Sequence, residues 1–362
     1  MSKCIYCDFY SIVNRTHEID SFTHALIKEF ELSAESYKSL EFDTIFIGGG
    51  TPSLLPPAQL EKIIEALYKY FNLNITEFSM ESNPDTINES NLQNYFDLGV
   101  NRLSIGMQTF DNKLLKNLRR IHSSSDSINA FEMARKVGFN NINIDLIFNL
   151  PNQNTESWKS DLITAFELNP EHISAYSLTV ERDTPLFQKV TNNQIILPHE
   201  DVDEELFTLT RKLMKQYHFN GYEISNFAKP GFECEHNLHY WNLDTTLAFG
   251  PSAHGFDGQK RWWNHRNLNL YLEKLNQNNL PIEGYDILSN TNHFNELILN
   301  GLRLSNGVNL ALLSQYYERN LHNYLLSKIE KWNEKLIIEN NCLKLTESGL
   351  LLTDEITADL FL

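Results

Sequence analysis

Residues 43–52 read Asp43-Thr-Ile-Phe-Ile-Gly-Gly-Gly-Thr-Pro52, a short apolar run that passes directly into three glycines and a proline. The β-branched and aromatic residues of the run predict a buried strand, and the glycines and proline predict a turn at its end. Pro57–Phe71, which comes next, has helical periodicity and predicts a helix. Together these segments form one βα unit.

The same unit recurs along the first half of the chain. Four more strands are predicted, at Glu77–Met80, Arg102–Ile105, Asn141–Ile144 and His172–Tyr176. Helices are predicted between them, at Glu89–Leu98, Ser125–Val137 and Glu156–Leu168, with Gly99 and Gly138 at the C-caps. Repeated βα units predict a parallel sheet, open or closed into a barrel, whose chemistry sits at the C-terminal ends of the strands.

Glycine or polar residues stand where four successive predicted strands end. The first strand runs into Gly48-Gly49-Gly50-Thr51, and the next three end in Glu81, Gln108 and Asp145. Because the C-terminal ends of parallel strands lie at one edge of a sheet, these groups are expected to converge on one cleft. A plain turn or a helix N-cap would explain any one of them, but their joint placement favours a site for a small polar ligand.

Composition limits the classes of partner. Forty-seven acidic residues against thirty basic ones give a net charge of −17, which repels phosphate backbones and anionic lipid surfaces. We therefore expect no nucleic-acid partner. No apolar run approaches the roughly 20 residues of a membrane span, and the N-terminus lacks the pattern of a signal peptide, so the expected location is the cytoplasm.

Cys4 and Cys7 have CxxC spacing and lie beside the aromatic residues Tyr6 and Phe9. Four cysteines in 362 residues do not suggest a disulfide framework. The spacing alone fits half of a zinc site, a redox pair or part of an iron–sulfur motif. Of these three, the zinc site ranks first. A barrel protein with a zinc-type CxxC is therefore one alternative.

Six motifs, in their order and spacing, resemble the radical S-adenosylmethionine (SAM) proteins of the oxygen-independent coproporphyrinogen III oxidase-like family. They are Cys4-Ile-Tyr-Cys7-Asp-Phe9, Gly48-Gly-Gly-Thr-Pro52, Glu81-Ser-Asn-Pro84, Gly106-Met-Gln-Thr-Phe110, Asn143-Ile-Asp-Leu-Ile147 and Leu150-Pro151. The resemblance covers nearly the whole chain. It implies an α/β fold with a partial (β/α)6 TIM-like radical SAM barrel, which holds a [4Fe–4S] cluster and SAM, and a small C-terminal winged-helix-like domain.

The resemblance also implies roles for individual residues. Cys4 and Cys7 would be ligands of the cluster. The expected cofactor-binding residues are Gly48, Gly49, Gly50, Thr51, Glu81, Gln108, Arg120 and Asp145. Arg120 stands in Leu118-Arg-Arg-Ile121, which has the pattern of a helix, so an exposed surface arginine is the alternative for it.

The family's cluster motif is CxxxCxxC, whose first cysteine would stand four residues before Cys4 and therefore ahead of Met1. Two thiolates cannot hold a [4Fe–4S] cluster in the usual way. We expect an upstream extension that encodes this cysteine and the short strand before it. A degenerate protein without a cluster is the alternative.

Two features point to the haem-chaperone (HemW-like) branch of the family. Phe9 stands where the oxidase has a further cysteine, and Glu235-His236-Asn237-Leu-His-Tyr240-Trp241 matches the branch signature HNxxYW. The resemblance implies that His236 binds haem, and an imidazole beside aromatic rings suits an axial bond to haem iron. For an isolated histidine a place in the core is the better interpretation, and His239 and His254 keep it, with a second haem ligand as the alternative for either.

These expectations divide the chain into a barrel (1–225), a connecting segment with the haem motif (226–289) and a mainly helical winged-helix-like domain (290–362). Helical patterns cover 294–304 and 310–338, and a strand, a turn and a helix start follow from Cys342. The first hypothesis is a haem chaperone that keeps a radical SAM core and delivers haem to recipient haem proteins, respiratory ones among them, as a haem carrier rather than a coproporphyrinogen dehydrogenase. The second is an enzyme of the coproporphyrinogen III oxidase type.

Overall fold

The computed structural model describes residues 3–317 and 320–362, and within them the largest sheet has seven strands in the order β1-β2-β3-β4-β5-β7-β6. The strands are β1 (Glu41–Ile47), β2 (Asn72–Ser82), β3 (Arg102–Gln108), β4 (Ile142–Phe148), β5 (His172–Ser177), β6 (Asn220–Gly221) and β7 (Asn226–Ala228). Strands β1 to β5 are parallel, whereas β7 and β6 pair antiparallel. The five strands predicted from the sequence are the five parallel ones.

Helix α1 (Ile19–Tyr37) precedes β1. The parallel strands are connected by helices, as the βα pattern predicts, namely α2 (Pro57–Tyr70), α3 (Glu89–Asp97), α4 (Asn112–Asn117), α5 (Ser124–Val137) and α6 (Thr155–Leu168). Helices α7 (Pro185–Thr191) and α8 (Glu200–Gln216) follow β5. Capping boxes fix where two of them begin, at Ser123 for α5 and at Asn154 for α6. The four predicted helices match α2, α3, α5 and α6 to within one residue at each end.

The two faces of the main sheet differ in polarity. In β3, Leu103, Ile105 and Met107 are completely buried in the core that the helices cover. Burying each such side chain contributes about 1.5–3 kcal/mol to stability. The alternate residues of the same strand, among them Ser104 and Gly106, face the other side, because successive side chains of a strand point to opposite faces. That second face carries the candidate site.

The chain after β7 forms a second layer beside the sheet. It contains α9 (Glu235–Trp241), β8 (His254–Phe256), β9 (Lys260–Asn264), α10 (Leu268–Asn276) and β10 (Ile282–Ile287), and the three strands form an antiparallel sheet. Glu29 connects this layer to α1, because its carboxylate accepts hydrogen bonds from the Gly250 N–H, Asn264 Nδ2 and the Tyr271 hydroxyl. The domain boundary at 225 stays a prediction, and β7 continues the main sheet beyond it.

The C-terminal part has a core of its own. Its elements are α11 (Asn290–Gly301), β11 (Val308–Asn309), α12 (Leu310–Leu313), α13 (Leu321–Trp332), β12 (Leu336–Glu339), β13 (Cys342–Leu345), α14 (Glu347–Leu350) and α15 (Thr353–Asp359). The core contains Phe294, Leu325 and Leu343, all completely buried. The predicted strand and helix start after Cys342 are present as β13 and α14.

The predicted helical stretch 310–338 is wrong as a single element. Asn320 caps the start of α13 by accepting the Asn323 N–H, and Asn333, with φ +46°, ends it. Strand β12 begins only three residues later. Asn340 and Asn341 both have positive φ, and these angles form the two-residue turn that joins β12 to β13.

Across residues 3–317 and 320–362, no helix combines the length and the apolar character needed to cross a membrane.

Candidate functional site

A cleft of about 850 Å³ opens at the C-terminal ends of the parallel strands. Most of the predicted site residues line it, namely Cys4, Cys7, Gly49, Gly50, Thr51, Glu81, Gln108, Arg120 and Asp145. Gly48 is the exception within the glycine run. A Cβ atom there would stand 2.8 Å from the ring of Phe46 and 3.0 Å from the Glu81 carboxyl carbon, so Gly48 lets these two side chains pack closely.

Glu81 and the glycine loop are in direct contact. The Glu81 carboxylate accepts the Gly49 N–H at 3.0 Å, and Gly49 has φ +113°, which a residue with a Cβ rarely adopts. Burial, together with the charge of Asp145, raises the pKa of Glu81 to about 7. A cationic group bound in the cleft would therefore stabilise the ionised form of Glu81.

Asp145 is oriented by its neighbours on two strands. Its carboxylate accepts hydrogen bonds from Ser104 Oγ at 2.9 Å and from Asn143 Nδ2 at 2.7 Å. Burial raises the pKa of Asp145, and these hydrogen bonds partly offset that effect. Asn143 is held in turn by His172 and Ser174 of β5. The carboxylate is thus fixed before any ligand arrives.

Gln108 reaches the cleft through an irregularity at the end of β3. The pairing with β4 shifts register between Gly106 and Gln108, and Gln108 has φ +70°. Such strained geometry at the end of a strand is common at binding sites. A Cβ atom on Gly106 would lie 2.8 Å from Gln108 Nε2 and 3.2 Å from Arg120 Nη2, so glycine here lets both side chains keep their positions in the cleft.

The helical position predicted for Arg120 is wrong. Helix α4 ends at Asn117, and Arg119 then takes φ +59°, which breaks the helical path. Arg120 turns into the cleft, where Nη1 donates to Asn83 Oδ1 at 2.8 Å. Its buried Nε has no hydrogen-bond partner among the described residues. A guanidinium with an unused donor is suited to a carboxylate.

The two N-terminal thiols line the same cleft. Cys4 and Cys7 are free and partly buried in the described part of the chain. Burial raises the pKa of Cys4, and the nearby Arg120 charge opposes that rise. Within residues 3–317 and 320–362 no group of three His, Cys, Asp or Glu residues is placed to hold a metal ion. These two thiols fit part of a cluster ligand set and need further ligands from elsewhere.

The charged side chains of the cleft fit a small ligand that carries a positive and a negative group. Glu81 and Asp145 offer largely buried carboxylates, and Arg120 offers a guanidinium. An ammonium group could pair with the carboxylates, and a ligand carboxylate could pair with the guanidinium. The amino-acid end of SAM has both groups, so the residues present fit that cofactor.

His236 lies on α9, close to the cleft but outside its lining. Its Nδ1 is 2.9 Å from Thr44 Oγ1, and its ring stacks on Phe46 and meets the edge of Tyr240. Burial lowers the pKa of His236 to about 4, so the imidazole is neutral at pH 7. His236 lies outside the βα units, on α9, and its ring packs against Thr44 and Phe46 of β1.

The other two histidines have different surroundings. His239 lies between two carboxylates, with Nε2 3.1 Å from Asp43 and Nδ1 2.8 Å from Asp244. Burial alone would lower its pKa, but the hydrogen bond to Asp244 and the charge of Asp43 outweigh burial and raise it. His254 is exposed and stacks on Trp263. His236 is the one of the three whose ring contacts two aromatic side chains, Phe46 and Tyr240.

Sequence reasoning missed the polar residues deeper in the sheet. Arg102, Asn143 and His172 are buried on the face that carries the cleft, and Glu77 lies beside them. Their signal is a two-residue period in the predicted strands, as in Glu77-Phe-Ser-Met-Glu81. The predicted site contains only residues at the ends of the strands, so the buried polar residues on the same face of those strands are missing from it.

Comparison with known proteins supports the assignment. Residues 1–165 match the Radical SAM superfamily, and residues 288–352 match the HemN C-terminal domain. The solved structure of coproporphyrinogen III oxidase (HemN) from Escherichia coli, a radical SAM enzyme, has a TM-score of 0.85 at 22% identity and covers 99% of this chain and 87% of that one. This likeness confirms the fold.

Curated relatives are similar over nearly the full length. The "Heme chaperone HemW" of Bacillus subtilis is 33% identical over 98% of this chain and 94% of its own. The protein of the same name from Buchnera aphidicola subsp. Schizaphis graminum is 37% identical over 94% of this chain and 89% of its own. The chain therefore belongs to the HemW heme chaperone family of the radical SAM superfamily.

Proposed function

We propose that this protein binds haem through His236 and delivers it to recipient haem proteins, respiratory ones among them, in the cytoplasm. The observation that carries the proposal is the environment of His236, a neutral imidazole between Phe46 and Tyr240 in a chain of the HemW family. The contact with Thr44 uses Nδ1, so Nε2 is the nitrogen that can bind iron. In that tautomer Nδ1–H donates to the Thr44 hydroxyl.

The second part of the proposal concerns SAM. Glu81 and Asp145 would hold its ammonium group, and Arg120 would hold its carboxylate. The Gly48–Gly50 loop and Thr51 would contact its methionine backbone. Gln108 would contact its polar groups. Support comes from the convergence of these residues on one cleft. There Glu81 and Asp145 carry buried carboxyl groups whose ionised forms a bound ammonium group would stabilise. The cofactor supplies radical chemistry when it is bound and reduced. The chain's own residues orient it.

The third part concerns the [4Fe–4S] cluster. Cys4 and Cys7 would supply two thiolates, and a cysteine four residues before Cys4, in a segment ahead of Met1, would supply the third. Strand β1 is an edge strand of the described sheet, so a preceding strand can pair beside it. The test is the iron and sulfide content after reconstitution of the 362-residue chain and of a version extended by that segment. Equal content in the two proteins would contradict this part.

The experiment that tests the function compares haem uptake with enzymatic turnover. Haem titration of the N-terminally extended protein should show uptake of one haem per chain, with a His-ligated absorption spectrum. Incubation with coproporphyrinogen III and SAM under reduction should leave the substrate unchanged. Decarboxylation with consumption of SAM, in the absence of stoichiometric haem uptake, would instead identify an enzyme of the coproporphyrinogen III oxidase type.

A further inference from the structure

Glu77 of β2 makes an unusual set of contacts with the start of α9. Its side chain is 4% exposed. One carboxylate oxygen accepts from Ser79 Oγ at 2.9 Å, Cys234 Sγ at 3.3 Å and the His236 N–H at 3.4 Å. The other accepts the Glu235 N–H at 2.9 Å. Three of the four donors belong to the first turn of α9 or to the residue before it.

All four contacts of Glu77 are with donors, and three of the four converge on one carboxylate oxygen. The positive charge nearby is Arg102, which is 1% exposed and donates from Nη1 to Ser79 Oγ at 3.3 Å. Ser79 therefore connects the guanidinium to the carboxylate. A buried carboxylate needs such a partner, because an unpaired charge in the interior is strongly destabilising.

Helix α9 depends on this carboxylate for its N-terminal cap. Among the described residues, no side-chain cap comes from its own N-cap residue, Cys234, and none of its seven residues is fully buried. The first N–H groups of a helix lack partners within the helix. Glu77, which is 158 residues before Glu235 in the chain, accepts two of them. A carboxylate at this end is also favoured by the helix dipole.

We propose that Glu77 is the positioning residue for His236: it caps α9 from strand β2 and thereby sets the place of the imidazole for haem iron. This inference rests on the proposed function and adds to it. Without Glu77, α9 loses the polar anchor of its first turn, and the imidazole keeps only its contacts with Thr44, Phe46 and Tyr240. Glu77 itself touches no ligand in this proposal.

The first test breaks the contact between Glu77 and the start of α9. Glu235 is the first residue of α9, a position that tolerates proline, and Cys234 before it is extended. Glu235→Pro deletes the N–H that donates to Glu77 and puts the ring Cδ in its place, so the carboxylate must move away from α9. Glu235→Ala is the matched control, since it keeps that N–H and, like the proline variant, loses the side-chain bond to Thr76.

We expect haem affinity of Glu235→Pro to fall at least tenfold below that of Glu235→Ala, which corresponds to about 1.4 kcal/mol. The spectrum of bound haem should lose its His-ligated character in the proline variant alone. SAM affinity, measured by calorimetry, should differ by less than about threefold between the two variants, because their changes lie outside the SAM cleft.

A second pair of variants tests the carboxylate itself. Glu77→Gln keeps the volume but replaces an acceptor oxygen by a donor, so it should reproduce the haem defect of Glu235→Pro. Glu29→Gln is the control, because Glu29 is 3% exposed and likewise accepts a backbone N–H from a distant segment, at Gly250. This control should leave the haem spectrum unchanged. Circular dichroism reports whether each variant is folded.

The outcomes separate the two levels of inference. If His236→Ala abolishes haem uptake while folded Glu235→Pro and Glu77→Gln bind haem like their controls, the positioning role is overturned and the haem function stands. If the wild-type extended protein takes up no haem, the proposed function fails and the positioning role fails with it. A haem defect in Glu29→Gln as large as that in Glu77→Gln would show a general effect of buried carboxylates and would also overturn the role.

Discussion

The ring of Phe46 stacks on the imidazole of His236, with ring centroids 5.1 Å apart and planes inclined by 24°. Phe46 also lines the cleft that contains Glu81 and Asp145. One aromatic ring therefore separates the proposed haem ligand from the proposed SAM site. The two sites are neighbours, and a change at His236 is isolated from the cleft only as long as Phe46 keeps its position.

SAM affinity should depend on pH through Glu81. The pKa of Glu81 in the free protein is about 7, and a bound ammonium group favours the ionised form, so protonation at lower pH competes with binding. Affinity should therefore fall by about eightfold from pH 7.5 to pH 6. Calorimetry at both pH values checks this. Glu81→Gln should bind SAM more weakly and lose the pH dependence, and an unchanged slope in that variant would exclude Glu81 as its source.

Gly106→Ala should weaken SAM binding while the protein stays folded. The new methyl group would lie 2.8 Å from Gln108 Nε2 and about 3.2 Å from atoms of Arg120 and Asn83, all at the ends of flexible side chains. These side chains can move aside at small cost, but they then leave the positions from which they face the cleft. We expect at least a tenfold loss of affinity, about 1.4 kcal/mol, with an unchanged melting temperature. Wild-type affinity would show that their positions do not matter.

Arg102→Met should destabilise the protein. The substitution keeps much of the side-chain length but removes the charged donor to Ser79 and the charge beside the buried Glu77 carboxylate, and we expect a loss of about 1.5–3 kcal/mol in the free energy of unfolding. Lys136→Met is the control, because it breaks an exposed ion pair with Glu89 that contributes less than about 1 kcal/mol. Urea unfolding measures both. Similar losses in the two variants would contradict the buried-pair interpretation.

The sequence predicts the sheet well because the signals involved are local. Each of the five parallel strands carries its own apolar or alternating pattern, and the polar residues that line the cleft, such as Asp145, follow from strand direction alone. The C-terminal part shows the opposite case. Its predicted helical stretch 310–338 contains Asn320, which caps α13, and Asn333, which ends it, and a hydrophobic period does not register such residues.

The features that the sequence does not predict depend on tertiary contacts or on single backbone angles. Arg120 enters the cleft because Arg119 takes a left-handed conformation, which an arginine rarely adopts and no pattern announces. His236 packs on Thr44 across 192 residues of chain. The contact between Glu77 and α9 is equally distant in sequence. The resemblance to the radical SAM family singled out Arg120 and His236 as site residues, and the structure adds their surroundings.

Haem titration of the N-terminally extended protein and its His236→Ala variant, with SAM calorimetry on the same samples, tests the central claim most directly. The proposed function predicts one haem per wild-type chain, loss of the His-ligated spectrum in the variant, and similar SAM affinity in both as long as Phe46 stays in place. Haem uptake by folded His236→Ala with the wild-type spectrum and affinity would contradict the claim and remove His236 from the haem site.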